Sequence, residues 1–489
     1  MHADDAGLDL ALNDAAAAEA WRECHRGFLA HSAAAGPALA RALEAAPGFA
    51  LGHAAQGFFL LLLGRAALLP AVDAALGKAK AAQADGGGDA RSAQLIAALA
   101  DYRAGRMRRS AARLEAALRA RPDDSLFFKL SHALRFLLGD AAGMRAGAEL
   151  ALGQAAPDHA HRGYLLGCAS FAAEETGDYA RAERLGRKGV EIAPDDAWGL
   201  HAVAHCMDMT GRAEDGVRWL ARRARNWSHC NNFGYHVWWH LALFHLDRGA
   251  WRPALELYDR RVRPERTDDW RDIANAASLL LRLEMEGVPV GARWEELADL
   301  SAGHVSDGLV IFADLHYLAA LGAAGRDEAA RALTDRIASD AGLLEHDQHE
   351  ACALAGLPAA EGLCAFRDGA FDRAHAQLSQ ALPQLWRVGG SHAQRDVFER
   401  LAIEAALRAG RLREALSALD ARAARRGARD GYDARRRAAI AARRAGRFDD
   451  EALRPEAAAP GGAAGGAAGG ATGGARGGAR AARGVLAVH

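Results

Sequence analysis

The sequence predicts an all-α fold, a right-handed α-solenoid of stacked helical hairpins. Alanine, leucine and arginine, all strong helix formers, dominate from residue 11 to about 450. Segments of alternating apolar and polar residues, the mark of half-buried strands, are missing from the same stretch. A hairpin signature also recurs: a glycine, an apolar residue two positions on and a small residue five positions on.

Residues 1–14 precede the first helical pattern and read as an N-terminal extension. The solenoid is expected over 15–455. Its clearest turns are GRMRRS at Gly105, GDYARA at Gly177, GAWRPA at Gly249, GAFDRA at Gly369 and GRLREA at Gly410, with weaker copies at Gly211 and Gly325. Pro122 and Pro194 each stand 17 residues after a turn glycine, where proline closes the second helix. This matches the later part of a tetratricopeptide-like repeat, and roughly seven to ten hairpins are expected, stacked around a long concave surface.

The arginine-rich segment 421–447 carries ten arginines and is expected to form the solvated outer faces of two terminal helices. Residues 456–489, with PGGAAGGAAGGATGGARGGAR, can neither build a core nor hold a helix, and are expected to be a disordered tail.

Composition narrows the function classes. With 61 Lys and Arg against 62 Asp and Glu, the formal charge is −1, so no global field draws nucleic acid or anionic membrane, and nucleic acid is not an expected partner. The longest apolar run, GFFLLLLGRAALLP at 57–70, is interrupted by Arg65 and is too short to span a bilayer. Six scattered cysteines without a CxxC pair, and no visible signal peptide, predict reduced thiols in a cytoplasmic protein. No P-loop or dinucleotide fingerprint is present.

The residues most able to carry chemistry fall in 201–249, which holds six of the 20 histidines and four of the 10 tryptophans. Counting back from the turn glycines Gly211 and Gly249 places first helices over about 196–209 and 231–248, the latter capped by Asn231 or Asn232. At 100° per residue, His236 and His240 lie about 40° apart, as do His201 and His205. His245 lies about 180° from His236 and, with Trp238 and Leu241, is assigned to the hairpin core as a hydrogen-bonded buried histidine.

Both pairs are expected on the concave side, with His316 in the same phase before Gly325 and Trp239 beside the second pair, available to stack on a ligand. Glu174, Glu175 and Asp208 are placed to extend that surface. Parallel helices with axes roughly 10 Å apart could bring His201, His205, His236 and His240 to one divalent transition metal, with His316 as a supplementary ligand. Neither HAVAH nor HVWWH has the glutamate of HExxH, so no zinc-peptidase motif is present. Three readings stay open: a peptide or small-molecule groove formed by His201, His205, His236, Trp239, His240 and His316; a metal or His acid/base site of an enzyme; and a structural polar network.

The blocks DDAWGLHAVAHCMDMTGR (195–212), NNFGYHVWWHLALFHLDRG (231–249), EMEGVPVGARW (284–294), FADLHYLAALG (312–322) and GGSHAQRDVFERL (389–401) resemble the tetratricopeptide repeat protein 38 family, also grouped as StaR-like proteins. The resemblance covers about residues 15–450. It implies an all-helical repeat fold and, through the repeat label, a protein or peptide partner, but no settled activity. Some members have been read as oxidative enzymes of secondary metabolism, and no flavin motif here supports that. Gln394, Arg395 and Asp396 form a further polar knot, expected to be a helix N-terminus capped by Ser391 or Asp396.

Overall fold

The computed structural model of the protein describes residues 2–446, and the Gly/Ala-rich tail expected over 456–489 lies outside them. The fold is all-helical apart from a two-stranded antiparallel hairpin, His2–Ala3 with Asp9–Leu10, at the start of the chain. The extension is tied down: Leu8, Leu10 and Leu12 are buried, and Arg91 bridges Asp4 (3.0 Å) and Asp124 (2.7 Å).

The hairpin turns form as the signature requires. Gly105, Gly177, Gly211, Gly249, Gly325, Gly369 and Gly410 all have φ between 67° and 81°, the left-handed region that only glycine enters without penalty. The amide of the next residue then bonds a carbonyl five residues back, as in Asp178 N to Ala173 O (2.9 Å) and Ala250 N to His245 O (2.8 Å), closing the helix end in a Schellman turn. The small residue five positions on lets the helices touch. Ser170 Oγ donates to the carbonyl of Ala182 at 2.7 Å, and Ser110 Oγ to that of Ala98 at the same distance.

Consecutive helices pack on one another along the chain, giving a solenoid with more hairpins than the seven to ten expected. First and second helices differ in burial. Tyr179–Ile192, a second helix, buries only Ala182, Gly186 and Gly189. Its neighbours Arg162–Glu175 and Ala197–Met209, both first helices, are buried almost all round. An inner helix that is apolar on every side has no amphipathic stripe, which is why the repeat pattern is faint there in the sequence.

The inner helices are covered because the stack folds back on itself. Ser32 pairs with Cys230 in a β-bridge, Arg108 reaches Asp347 (3.1 Å), Arg395 reaches Glu175 (3.0 Å), and the amide of Gly431 donates to Asp247 Oδ1 (2.6 Å). The expected long, open concave face is therefore largely occupied by the protein's own later hairpins.

Those later hairpins correct the reading of the arginine-rich segment. Arg422, Arg426 and Arg436 are buried rather than solvated. Arg422 contacts Asp396 and Asp430, the latter at 2.6 Å; Arg426 bonds Asp208 (2.9 Å); Arg436 contacts Glu404 and lies 3.2 Å from Glu286. Asp396 belongs to this network and does not cap a helix; Ser391 does, in a capping box with Gln394 over the helix His392–Arg408. Among the described residues no helix is long and apolar enough to cross a membrane.

Candidate metal centre

Two inner helices carry the histidine pairs, Ala197–Met209 and Phe233–Asp247. The second starts where Asn231 Oδ1 accepts the amide of Phe233 (2.9 Å), whereas Asn232 makes no side-chain cap. Each i,i+4 pair projects from one face, and packing the helices side by side turns the two faces together. His205 Nε2 lies 2.8 Å from His201 Nε2, His201 Nε2 lies 3.1 Å from His236 Nε2, and His236 Nε2 lies 3.2 Å from His240 Nε2. The four ligand atoms lie within 4.8 Å of one another. Nitrogens bound about 2.0–2.1 Å from a common ion stand roughly 3 Å from their neighbours, a spacing that these three contacts share with imidazole–imidazole hydrogen bonds.

Outer contacts orient two of the four rings. His236 Nδ1 donates to Asn275 Oδ1 at 2.9 Å, which directs the Nε2 lone pair into the cluster. His205 Nδ1 faces Glu174 Oε2 at 3.5 Å, the carboxylate–histidine arrangement that raises a ligand's basicity. Glu174 is fully buried, and neither of its oxygens makes a hydrogen bond. Glu175 beside it is matched by Arg395 (3.0 Å) and by the amide of His392 (2.7 Å).

Burial sets the protonation of the cluster. It holds His201 and His240 well below the usual histidine range, their neighbouring imidazoles adding to the effect, and takes His236 down to about 3. Burial also opposes protonation of His205, but Glu174 and then Glu175 outweigh it and raise that ring. Three imidazoles are thus neutral at physiological pH, the form that binds metals.

His201 and His236 also line a small cavity of about 30 Å³, room for a water molecule or two, that is partly open to solvent. Phe136, Phe171, Trp198, Phe233, Trp270 and Phe312 supply aromatic wall, and polar groups come from His31, Asn275 and Gln394 among others. His205 and His240 are not part of that lining and are closed off, at 0% and 1% exposure. The cluster thus faces a cavity through two of its members rather than lying along an open groove.

Other sequence-selected residues go elsewhere. His316 does not join the four: its Nδ1 bonds the Phe312 carbonyl (2.8 Å), and its ring packs on Phe312 and Phe398. Trp239 is fully buried and does not line the cavity; it stacks on the back of His236 (5.2 Å, 17°) and donates its indole N–H to Ser278 (3.1 Å). Asp208 is taken by Arg426. His245 is only half-buried and its Nδ1 makes no hydrogen bond, and Trp238 is half-buried against Trp227. Asn275, His31 and the wall residues Phe136, Phe171, Trp270 and Phe312 were not selected from sequence, since they arrive from other hairpins and carry no local motif; Trp198 and Phe233 start the two histidine helices themselves. No family model matches the chain.

Proposed function

We propose that the protein is a metalloprotein, in which His201, His205, His236 and His240 bind one divalent transition metal ion beside a small cavity partly open to solvent. The observation that carries this reading is the meeting of four imidazoles with one nitrogen of each within 4.8 Å of the others, three Nε2–Nε2 contacts being 2.8–3.2 Å. Imidazole nitrogens aimed at one another need a shared proton or a cation between them, and a single ion can serve all four. An all-nitrogen set suits zinc, iron, nickel or copper.

An ion held there supplies Lewis-acid polarisation of a bound oxygen or activation of water, which makes a metal-dependent enzyme the functional class. The chain's own residues divide the remaining work. Glu174 and Asn275 hold His205 and His236 in orientation. Phe171 and Phe233, packed on His201 at 5.7 and 5.3 Å, keep the approach apolar and limit water. His201 and His236 are the members an incoming ligand meets. A peptide groove is less favoured, because His205 and His240 are closed to any large partner.

The tetratricopeptide-like nature of the hairpins, the right hand of the solenoid, the kinship with the tetratricopeptide repeat protein 38 family and a cytoplasmic location belong to the same proposal. The turn signature and the helical stack support the tetratricopeptide-like reading among them. The test is metal analysis of untagged protein purified without chelators, beside the double variant His201→Ala, His236→Ala. About one ion per chain, absent from the folded variant, is the expected result. Protein that neither carries nor takes up zinc, iron, nickel or copper refutes the reading.

A further inference from the structure

A second group of donors adjoins the four histidines and shares one ring with them. His205 turns its Nε2 into the cluster and its Nδ1 the other way, toward Glu174 and Glu175, the last two residues of the helix Arg162–Glu175. One donor atom from each of Glu174, Glu175 and His205 lies within 4.8 Å of the others. All three residues are buried, Glu174 and His205 at 0% exposure.

The group is short of partners. Neither oxygen of Glu174 makes a hydrogen bond, and neither does Nδ1 of His205. The two residues face each other at 3.5 Å, wider than the about 2.7–2.9 Å of a charge-assisted N–H···O bond. Two ligands about 2.1 Å from one ion stand roughly 3–3.5 Å apart, which fits that gap. Glu175 is placed differently: Arg395 (3.0 Å) balances its charge, and the amide of His392 (2.7 Å) donates to its Oε1. Among the described residues no arginine or lysine pairs with Glu174, so of the two carboxylates one is left without a counter-charge. Burying a carboxylate in that state is unfavourable, and a cation between Glu174 and His205 removes the penalty. A further nitrogen is in reach, since His392 Nε2 lies 3.4 Å from Glu175 Oε2. His392 is only half-buried and gives the group an edge to solvent, through which an ion can enter.

We propose that Glu174, Glu175, Nδ1 of His205 and His392 hold a second divalent metal ion, and that His205 bridges it to the first through its two ring nitrogens. The Nδ1 proton leaves to solvent as the second ion takes its place. The inference rests on the four-histidine reading, because the first ion, on Nε2, is what fixes the ring with Nδ1 turned on Glu174. The two sites therefore fill in order, the histidine site first and tightly, the carboxylate site second. Two carboxylates with two imidazoles suit zinc, iron or manganese.

The test dialyses the metal-free full chain against rising zinc(II) and counts bound zinc by mass spectrometry. Wild type should take up one ion and then, at higher free zinc, a second. Glu174→Gln, which keeps the shape of the side chain, should stop at one. His392→Ala, at a half-exposed position, serves as the second variant and should lose the second ion or bind it at least tenfold more weakly. Copper(II) reads the bridge: two copper ions joined by one imidazole ring couple antiferromagnetically, so the electron-spin resonance raised by the first equivalent should fall as the second enters. Wild type that saturates at one ion, a second ion bound unchanged by Glu174→Gln or His392→Ala, or a copper signal that doubles overturns the proposal. Saturation at one ion leaves the four-histidine centre standing, whereas uptake of none removes both.

Discussion

The molecule buries two dense clusters of ionisable groups, and they are built on opposite principles. Around Arg422 every charge meets its complement: Arg400 and Arg422 on Asp396, Arg422 and Arg426 on Asp430, Arg436 on Glu404. Around His201 like meets like, four nitrogens turned on one another with Glu174 left without a hydrogen bond. The first arrangement is complete in itself and fastens the terminal hairpins to the inner helices. The second leaves buried polar atoms without partners, and the proposed metal centre rests on that imbalance.

Breaking each cluster should therefore have opposite consequences. Arg422→Ala takes one arginine partner from each of the buried acids Asp396 and Asp430, leaving Arg400 and Arg426 to them, and removing one partner of a buried ion pair costs about 3–5 kcal/mol. Chemical denaturation should show that loss with an unchanged slope. His240→Ala should change the stability of metal-free protein by less than about 1 kcal/mol, since relieving repulsion offsets lost packing. A large loss from His240→Ala would make the histidine cluster structural.

Metal linkage sharpens the same contrast. Ion binding to the native state alone raises stability by about 4 kcal/mol at a free concentration 1,000 times Kd. The melting temperature of wild type should rise on adding the ion, that of Arg422→Ala should rise equally from a lower start, and that of His201→Ala, His236→Ala should not move. Glu174→Gln keeps the shape of the side chain but removes its charge from His205. It should weaken metal affinity about 10–100-fold without abolishing binding, measured by competition with a chelator. Unaltered affinity would leave Glu174 outside the centre.

How far these clusters were legible depended on the distance over which their parts are assembled. The turn glycines were readable because a Schellman turn demands a positive φ within one short segment. The histidine pairs were readable because i,i+4 spacing fixes a face. Their meeting, and the arrival of Glu174 and Asn275, depends on how hairpins stack, which local periodicity does not specify. Trp239 shows the limit: it stands next to His240 in sequence, yet Ser278 of the following hairpin covers it and takes its indole N–H. His316 has the right phase, but its helix sits too far along the stack to join the four. Arg422, Arg426 and Arg436 were misread for the same reason, because their acids come from as far away as Asp208 and Glu286, while Arg425, Arg429 and Arg444 are exposed as expected.

A third charged group tests the principle where burial is incomplete. His304 lies between Asp268 (2.5 Å) and Asp307 (2.7 Å), and Asp307 also accepts the amide of Ala66, tying an early turn to a late one. Burial opposes protonation of His304, but the two carboxylates prevail and raise its pKa to about 9. A group whose folded pKa exceeds its unfolded value near 6.5 contributes fully below that value and loses its contribution as pH rises through 9. Asp268 is more than a third exposed, so solvent screening reduces the contribution to about 1–2 kcal/mol. His304→Gln should accordingly be less stable than wild type by about that amount at pH 6, and the difference should shrink between pH 7 and pH 10. A difference that holds constant across that range would mean that His304 acts through packing on Tyr317, which it stacks against at 5.1 Å, and not through its charge.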